Sequence, residues 1–229
     1  MLKKASKRFK KLIEKSINLK PNNIVEAIKV VKENCTIKFD ESIDVSFKLN
    51  LKQKKEEVNV RIPVNLPNGN GKKIKVAVLC EESKIQEAKD GGADIYDSES
   101  LINDINAGKF NFDKLVATPA MMPKMGKLGK ILGPKGLMPN PKLGTVTNNI
   151  KSITKALKSG QIEIKNDKDG NIGASIGKKS FTNDKIEQNY KVIFESILKE
   201  KPTNFKGNFI TSVFLTSTMG TSFKLKQEK

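Results

Sequence analysis

The 229-residue chain contains no histidine and no tryptophan. Without histidine there is no Ser-His-Asp or Cys-His nucleophile pair, no His-ligated zinc and no imidazole base. Any enzyme mechanism is left to lysine or carboxylate chemistry. Cysteine is scarce: Cys35 and Cys80 stand far apart, each beside apolar residues. They read as two buried, reduced thiols, with a disulfide as the alternative. Long apolar runs are missing, and nothing approaches the roughly 18 residues of a membrane span. The opening MLKKASKRFKKLIEKSINLK lacks the apolar centre of a secretory signal. Lysine in place of arginine, and Glu14, speak against a mitochondrial presequence. It reads as a basic helical arm on a cytoplasmic protein, with an organelle address as the lesser alternative.

Acid is absent over one long window. No Asp or Glu occurs from Lys114 to Ile162, while nine lysines do: Lys114, Lys124, Lys127, Lys130, Lys135, Lys142, Lys151, Lys155 and Lys158. Inside it, MGKLGKILGPKGLMPNPKLGTVT (125–147) holds five glycines and three prolines. It reads as a flexible basic loop whose backbone can lie close to a polyanion. The alternative is a solvated basic face without a partner. Net charge over the whole chain is +18, which favours nucleic acid, an anionic membrane or acidic proteins as partners.

What is present sorts into two patterns. Residues 4–17 and 23–33 read as helices, broken around Pro21. In 39–51, Ile43, Val45, Phe47, Leu49 and Leu51 alternate with Ser42, Asp44, Ser46, Lys48 and Asn50, a strand with one buried and one polar face. A charged turn, KQKKEE (52–57), leads to a second strand at 58–66 and an expected hairpin, with Pro63 marking an edge or bulge. LPNGNGKK (66–73) is turn or linker chemistry. From residue 74 short apolar strands (74–80, 114–119) alternate with helices, which reads as βαβ units on a parallel sheet. A helix follows at about 148–158 and stops at Gly160. A hairpin around Asp169-Gly170, a helix over 183–199 and a strand over 207–220 return to the first pattern. The simplest arrangement is two domains: 1–69 with 160–229 outside, and 70–159 inserted. Two adjacent linkers, with Gly69, Gly71 and Gly160 near them, would act as a hinge.

Motifs for catalysis are near misses. GASIGKKS (173–180) lacks the spacing and the strand-to-helix context of a phosphate loop. GKLGKILGPKG lacks the dinucleotide fingerprint. Glu56-Glu57 and Glu81-Glu82 fall in expected turns and read as solvated. Met121, Met122 and Met125 read as packing. No cofactor or metal is expected. On the outer domain, the polar face of 39–51 and TSTMG (216–220) offer hydroxyls, an acid and a lysine suited to ribose and base edges. An ordinary solvent-facing strand is the plainer reading of each.

The 125–147 segment closely resembles the signature of the L-one family of large-subunit ribosomal proteins, which occupy the mobile side stalk of the ribosome. KFDESIDVSFKLN, VRIPVNLPNGNGK, GADI, LVATP, KSGQIEIKNDKDGNIGASIGK, KPTNFKG and TSTMGTS also resemble family segments, in family order. The resemblance implies an α/β protein of two domains: an outer α+β split-βαβ domain from both chain ends and an inserted Rossmann-like domain. It implies large-subunit rRNA contacts at Lys38, Phe39, Ser42, Asp44, Lys48, Lys165, Asp167, Lys168, Thr216, Ser217, Thr218, Met219 and Gly220. It implies weaker contacts to RNA and exit-site tRNA at Lys124, Lys127, Lys130, Lys135 and Lys142. It further implies no enzyme activity, other ribosomal components as partners, binding to the chain's own mRNA, and no membrane. Asp44 stands where glutamate is usual in the family, Ser42 and Ser217 where threonines are, and Lys165 where an arginine is. The rivals are a nucleotide-dependent enzyme built on the βαβ units and a charge-driven binder of any polyanion.

Overall fold

The computed structural model describes every residue except 1–4, 18, 20, 22, 51–59, 98, 203, 204, 206 and 227–229. The charged turn at 52–57, Glu56 and Glu57, and the first residues of the expected second strand lie outside the described residues. Two compact units emerge: Met1–Gly71 with Ile164–Lys229, and Lys72–Glu163. The fold is mixed α/β, as the alternating patterns implied.

The first unit is built on β1 (Ser42–Leu49). Its period-two pattern buries Ile43, Val45, Phe47 and Leu49 and leaves the even-numbered side chains outside the core. β1 pairs antiparallel with β7 (Asn171–Lys178) on one edge and with β8 (Ile210–Ser217) on the other. A further strand, β9 (Phe223–Leu225), extends the sheet to the order β7-β1-β8-β9. Both edges of β1 are therefore occupied, and the expected hairpin with the 58–66 strand does not form. That segment supplies β2 (Arg61–Asn65), which pairs instead with β6 (Gln161–Lys165). A two-stranded sheet tolerates Pro63 because each strand is an edge. The 166–171 turn joins β6 to β7, yet the two strands meet only at an Asn166–Ile172 bridge. Helices α2 (Ile24–Glu33) and α8 (Asn183–Lys199) cover the apolar face. Phe47 lies 6.1 Å from the Tyr190 ring and 6.3 Å from Phe194. Helix α1 (Lys7–Ile17) buries only Leu12 among its residues.

In the second unit, β3 (Val76–Leu79), β4 (Ile95–Asp97) and β5 (Lys114–Ala117) form a parallel sheet in the order β4-β3-β5. The central strand, β3, is wholly buried, as a strand covered on both faces should be. One face packs on α3 (Ile85–Asp90) and α7 (Ile150–Ser159), with Ala88, Ile150 and Leu157 in the core. Asn149 caps α7 by accepting from Ser152 N at 3.2 Å, and Gly160 ends it at φ 108°. The other face packs on α4 (Glu99–Asn106) and on the glycine-rich segment.

That segment is not the loop its glycines suggested. It forms α5 (Met122–Gly126) and α6 (Gly129–Leu132), then a 3-10 turn at Pro141–Leu143. Met121, Met125, Leu128 and Leu132, at helical spacing, are all buried in the core. The methionines pack, as expected, while Lys124, Lys127 and Lys130 point outward.

Candidate nucleic-acid interface

The strand register gathers the even residues of β1 into rows with their neighbours. Lys48 faces Asn171 and Ser212, Ser46 faces Gly173 and Phe214, and Asp44 faces Ser175 and Thr216. Opposite the helices, the sheet thus presents hydroxyls, an amide, a carboxylate and an ammonium. Each end of this face carries a turn held by internal hydrogen bonds.

At the Ser42 end the 216–221 turn folds back on β1. Thr218 N donates to Ser42 O at 3.0 Å, and Thr218 Oγ1 accepts from Ser42 N at 3.0 Å. Met219 N donates to Glu41 Oε2 at 3.1 Å. Glu41 is fully buried, and its Oε1 has no hydrogen-bond partner among the described residues. From α1, Arg8 donates to Met219 O at 2.9 Å and to Thr36 Oγ1 at 3.3 Å. The backbone is thereby fixed while two apolar side chains stay outside: Phe39 is 49% exposed and Met219 46%. Lys38 is exposed beside them.

Ser217 differs from its neighbours in the motif. Its side chain is buried, so it faces the core rather than solvent. Among the described residues the hydroxyl has no nitrogen or oxygen partner, and it lies against the Cys35 thiol. A Cβ built on Gly220 would penetrate Ser217 Oγ. Gly220 therefore serves a close approach inside the protein, and Ser217 shapes the turn from beneath. Cys35 and Cys80 are both free thiols and buried, and burial pushes both thiols up from the ordinary value.

At the other end, Asp167 organises the 166–171 turn. Its carboxylate accepts from Asn171 N at 2.7 Å, Asn171 Nδ2 at 2.9 Å and Asp169 N at 3.0 Å. The Asn171 backbone and side-chain bonds hold its pKa below the usual carboxylate value. Lys48 reaches the same turn, donating to Asp169 O at 2.8 Å. Lys165, Asp167 and Lys168 are exposed. The candidate residues of the first unit thus form two groups joined by the polar face of β1.

In the second unit Lys124, Lys127, Lys130, Lys135 and Lys142 are exposed. Lys135 is engaged internally, its Nζ 3.4 Å from the centroid of the Phe110 ring. A shallow depression lined by Ile102, Asn103, Pro123, Lys124 and Lys127 holds no acid or nucleophile. No group of metal-ligating side chains occurs among the described residues, and no helix among them is long and apolar enough to cross a membrane. The chain crosses between units after Gly71 and after Glu163. Gly69 and Gly71 have φ of 64° and 75°. The Gly69 carbonyl accepts from the buried Asn189 at 2.9 Å, which ties that residue to α8.

Arg8, Glu41, Asn171 and Phe214 were not among the residues singled out by sequence. Strand parity could have found Glu41, since the odd positions that bury Ile43 and Val45 bury it too. Arg8 acts through contacts with Thr36 and Met219, distant in sequence, that no local pattern encodes, whereas Asn171 acts on Asp167 within the same short turn.

Residues 31–221 match the model of the Ribosomal protein L1p/L10e family. The large ribosomal subunit protein uL1 of Pelagibacter ubique is 57% identical over 225 residues, covering 98% of each chain. The protein uL1 of Kosmotoga olearia is 44% identical over 229 residues, covering 99% of this chain and 98% of its own. The protein uL1c of Phaeodactylum tricornutum is 44% identical over 227 residues, covering 99% of each. With the family model matched over most of its length and relatives alike from end to end, the chain belongs to the ribosomal protein L1p/L10e family.

Proposed function

We propose that this chain, a structural and non-enzymatic protein of the large ribosomal subunit, binds large-subunit rRNA at the mobile side stalk through the open sheet face and end turns of its outer unit. One observation carries the reading. Two internally braced turns stand at opposite ends of a polar strand face, about 23 Å apart at ~3.3 Å per residue; they expose Met219 and Lys168, and Phe39 and Lys165 are exposed beside that face. Braced turns cost little ordering on binding. Exposed apolar groups can rest on unstacked bases, and hydroxyls and amides can read ribose and base edges. The net charge of +18 supplies the long-range attraction to phosphate.

The exposed lysines of the second unit, Lys124, Lys127, Lys130, Lys135 and Lys142, make the weaker contacts to RNA and face tRNA in the exit site. The crossings near Gly71 and Gly160 act as the hinge on which this unit follows the departing deacylated tRNA. The same rRNA-binding surface accepts a similar structure in the chain's own mRNA and so represses its translation. The charge alone also suits a binder of any polyanion, and this is the competing reading.

Competitive binding separates the two. Labelled RNA carrying the stalk-base helices and loops is titrated in moderate salt, with duplex RNA, duplex DNA and tRNA as competitors. Stalk RNA is expected to bind orders of magnitude tighter. Thr218→Ala, which removes the acceptor for Ser42 N, weakens it by roughly tenfold, the worth of about one hydrogen bond. Equal competition by every polyanion would leave charge as the whole explanation.

A further inference from the structure

Phe214 is out of place on its face of the sheet. The four strands of the outer unit's larger sheet turn their apolar side chains to the helices, and the opposite face is otherwise Ser, Thr, Asn, Asp, Gly and Lys. Phe214 sits there 36% exposed. Among the described phenylalanines and tyrosines, only it and Phe39 are exposed.

Its surroundings leave part of the side chain open to solvent. Across the sheet, Gly173, Ser46, Phe214 and Lys224 are successive paired positions on four strands. On one side of Phe214 stand a small hydroxyl and a glycine, which cover little of the ring. On the other side stands an exposed lysine. The rows to either side supply Asp44 with Thr216, and Lys48 with Asn171 and Ser212. An aromatic face, room above its small neighbours, a cation beside it and polar groups flanking it form a platform for a flat, unpaired base. A paired base in a duplex does not expose its face and could not use it.

We infer that Phe214 is a stacking site for one unpaired nucleobase of the bound RNA, with Lys224 meeting the adjoining phosphate. The inference rests on the rRNA-binding reading above and assigns that surface a residue and a ligand group. It also gives a reason for an exposed aromatic ring midway between the two turns, on a face whose other groups are polar.

The chain has no tryptophan, so Phe214→Trp places a single fluorescent probe at the site. Titrated with stalk RNA in moderate salt, this variant is expected to bind within about twofold of the parent, with strong quenching at saturation. Phe214→Leu keeps an apolar strand residue but removes the stacking face. It is expected to bind roughly tenfold more weakly, at the low end for loss of one stacked base, with an unchanged thermal melt. Blunt duplex RNA of equal length should not quench the tryptophan. An unquenched indole in Phe214→Trp, together with full affinity of Phe214→Leu, overturns the inference but leaves the rRNA reading standing, provided Thr218→Ala still weakens binding. If Phe214→Leu does not fold, quenching alone decides. If the parent shows no preference for stalk RNA, the binding reading itself has failed, and the stacking site falls with it.

Discussion

Replacing Gly220 with alanine tests how the 216–221 turn is built. The residue has no left-handed φ, so the cost lies in space rather than backbone conformation. The new Cβ would overlap Ser217 Oγ, while the next nearest atom, Ser217 Cβ, is at 3.6 Å, an ordinary contact. One oxygen therefore accounts for the whole clash. Because Ser217 is buried against Cys35, its hydroxyl has little room to rotate away. Overpacking of this kind costs about 2 kcal/mol, or roughly 6–8 °C of melting temperature for a unit of this size. Ser217→Ala alone should be within about 0.5 kcal/mol of the parent, since the hydroxyl it removes is buried without a nitrogen or oxygen partner. Together the two changes should be no worse than Ser217→Ala, giving a coupling of about 1.5–2 kcal/mol in a double-mutant cycle. Thermal and urea unfolding of the four proteins measure it. Additive losses, or a harmless Gly220→Ala, would refute the idea that Ser217 dictates glycine at this position.

Other expectations follow from the same geometry. Glu41→Ala removes a fully buried carboxylate that receives Met219 N, so it should cost about 2–3 kcal/mol in urea unfolding. Glu41→Gln, which keeps an acceptor, should cost less. Burial alone would raise the Asp94 pKa, but the bond from Val76 N and the ion pair with Lys158 at 3.0 Å hold it below the ordinary value. A depressed carboxylate contributes stability above its unfolded pKa, near 3.9, and loses it as pH falls through the folded value. Unfolding of the second unit should therefore become easier below about pH 4, and Asp94→Asn should flatten that dependence while lowering stability at pH 7. Both cysteines are buried and their thiols shifted upward. An aromatic disulfide reagent at pH 8 should leave them largely unmodified in the native chain and titrate both in denaturant. Rapid native reaction would contradict their placement.

Much of the fold was legible because its periods are clean. The alternation in 42–49 marked β1 and its polar face, and apolar runs marked β3 and β5. Partner choice was less legible. Nothing local in 58–66 says that it pairs with β6 rather than β1, because that choice is made by β7 and β8 arriving from more than a hundred residues away. Composition misled in 125–147. Glycine and proline suggested a loop, while the spacing of Met121, Met125, Leu128 and Leu132 carried the helical stripe that the structure uses. Within the candidate site the motif named the turns but not their supports. Glu41 and Ser217 lie underneath, and Phe214 sits inside Val213-Phe214-Leu215, where three apolar residues in a row hide which one faces out.

The central claim, that RNA lies on the outer unit's open sheet face and end turns, is tested most directly by lysine footprinting. The chain, alone and with saturating stalk RNA, is acetylated briefly, and modification at each lysine is read by mass spectrometry. Strong protection is expected at Lys38, Lys48, Lys165, Lys168 and Lys224, and weaker protection at Lys124, Lys127, Lys130 and Lys142. Protection confined to the second group, with the sheet face still reactive, would contradict the claim.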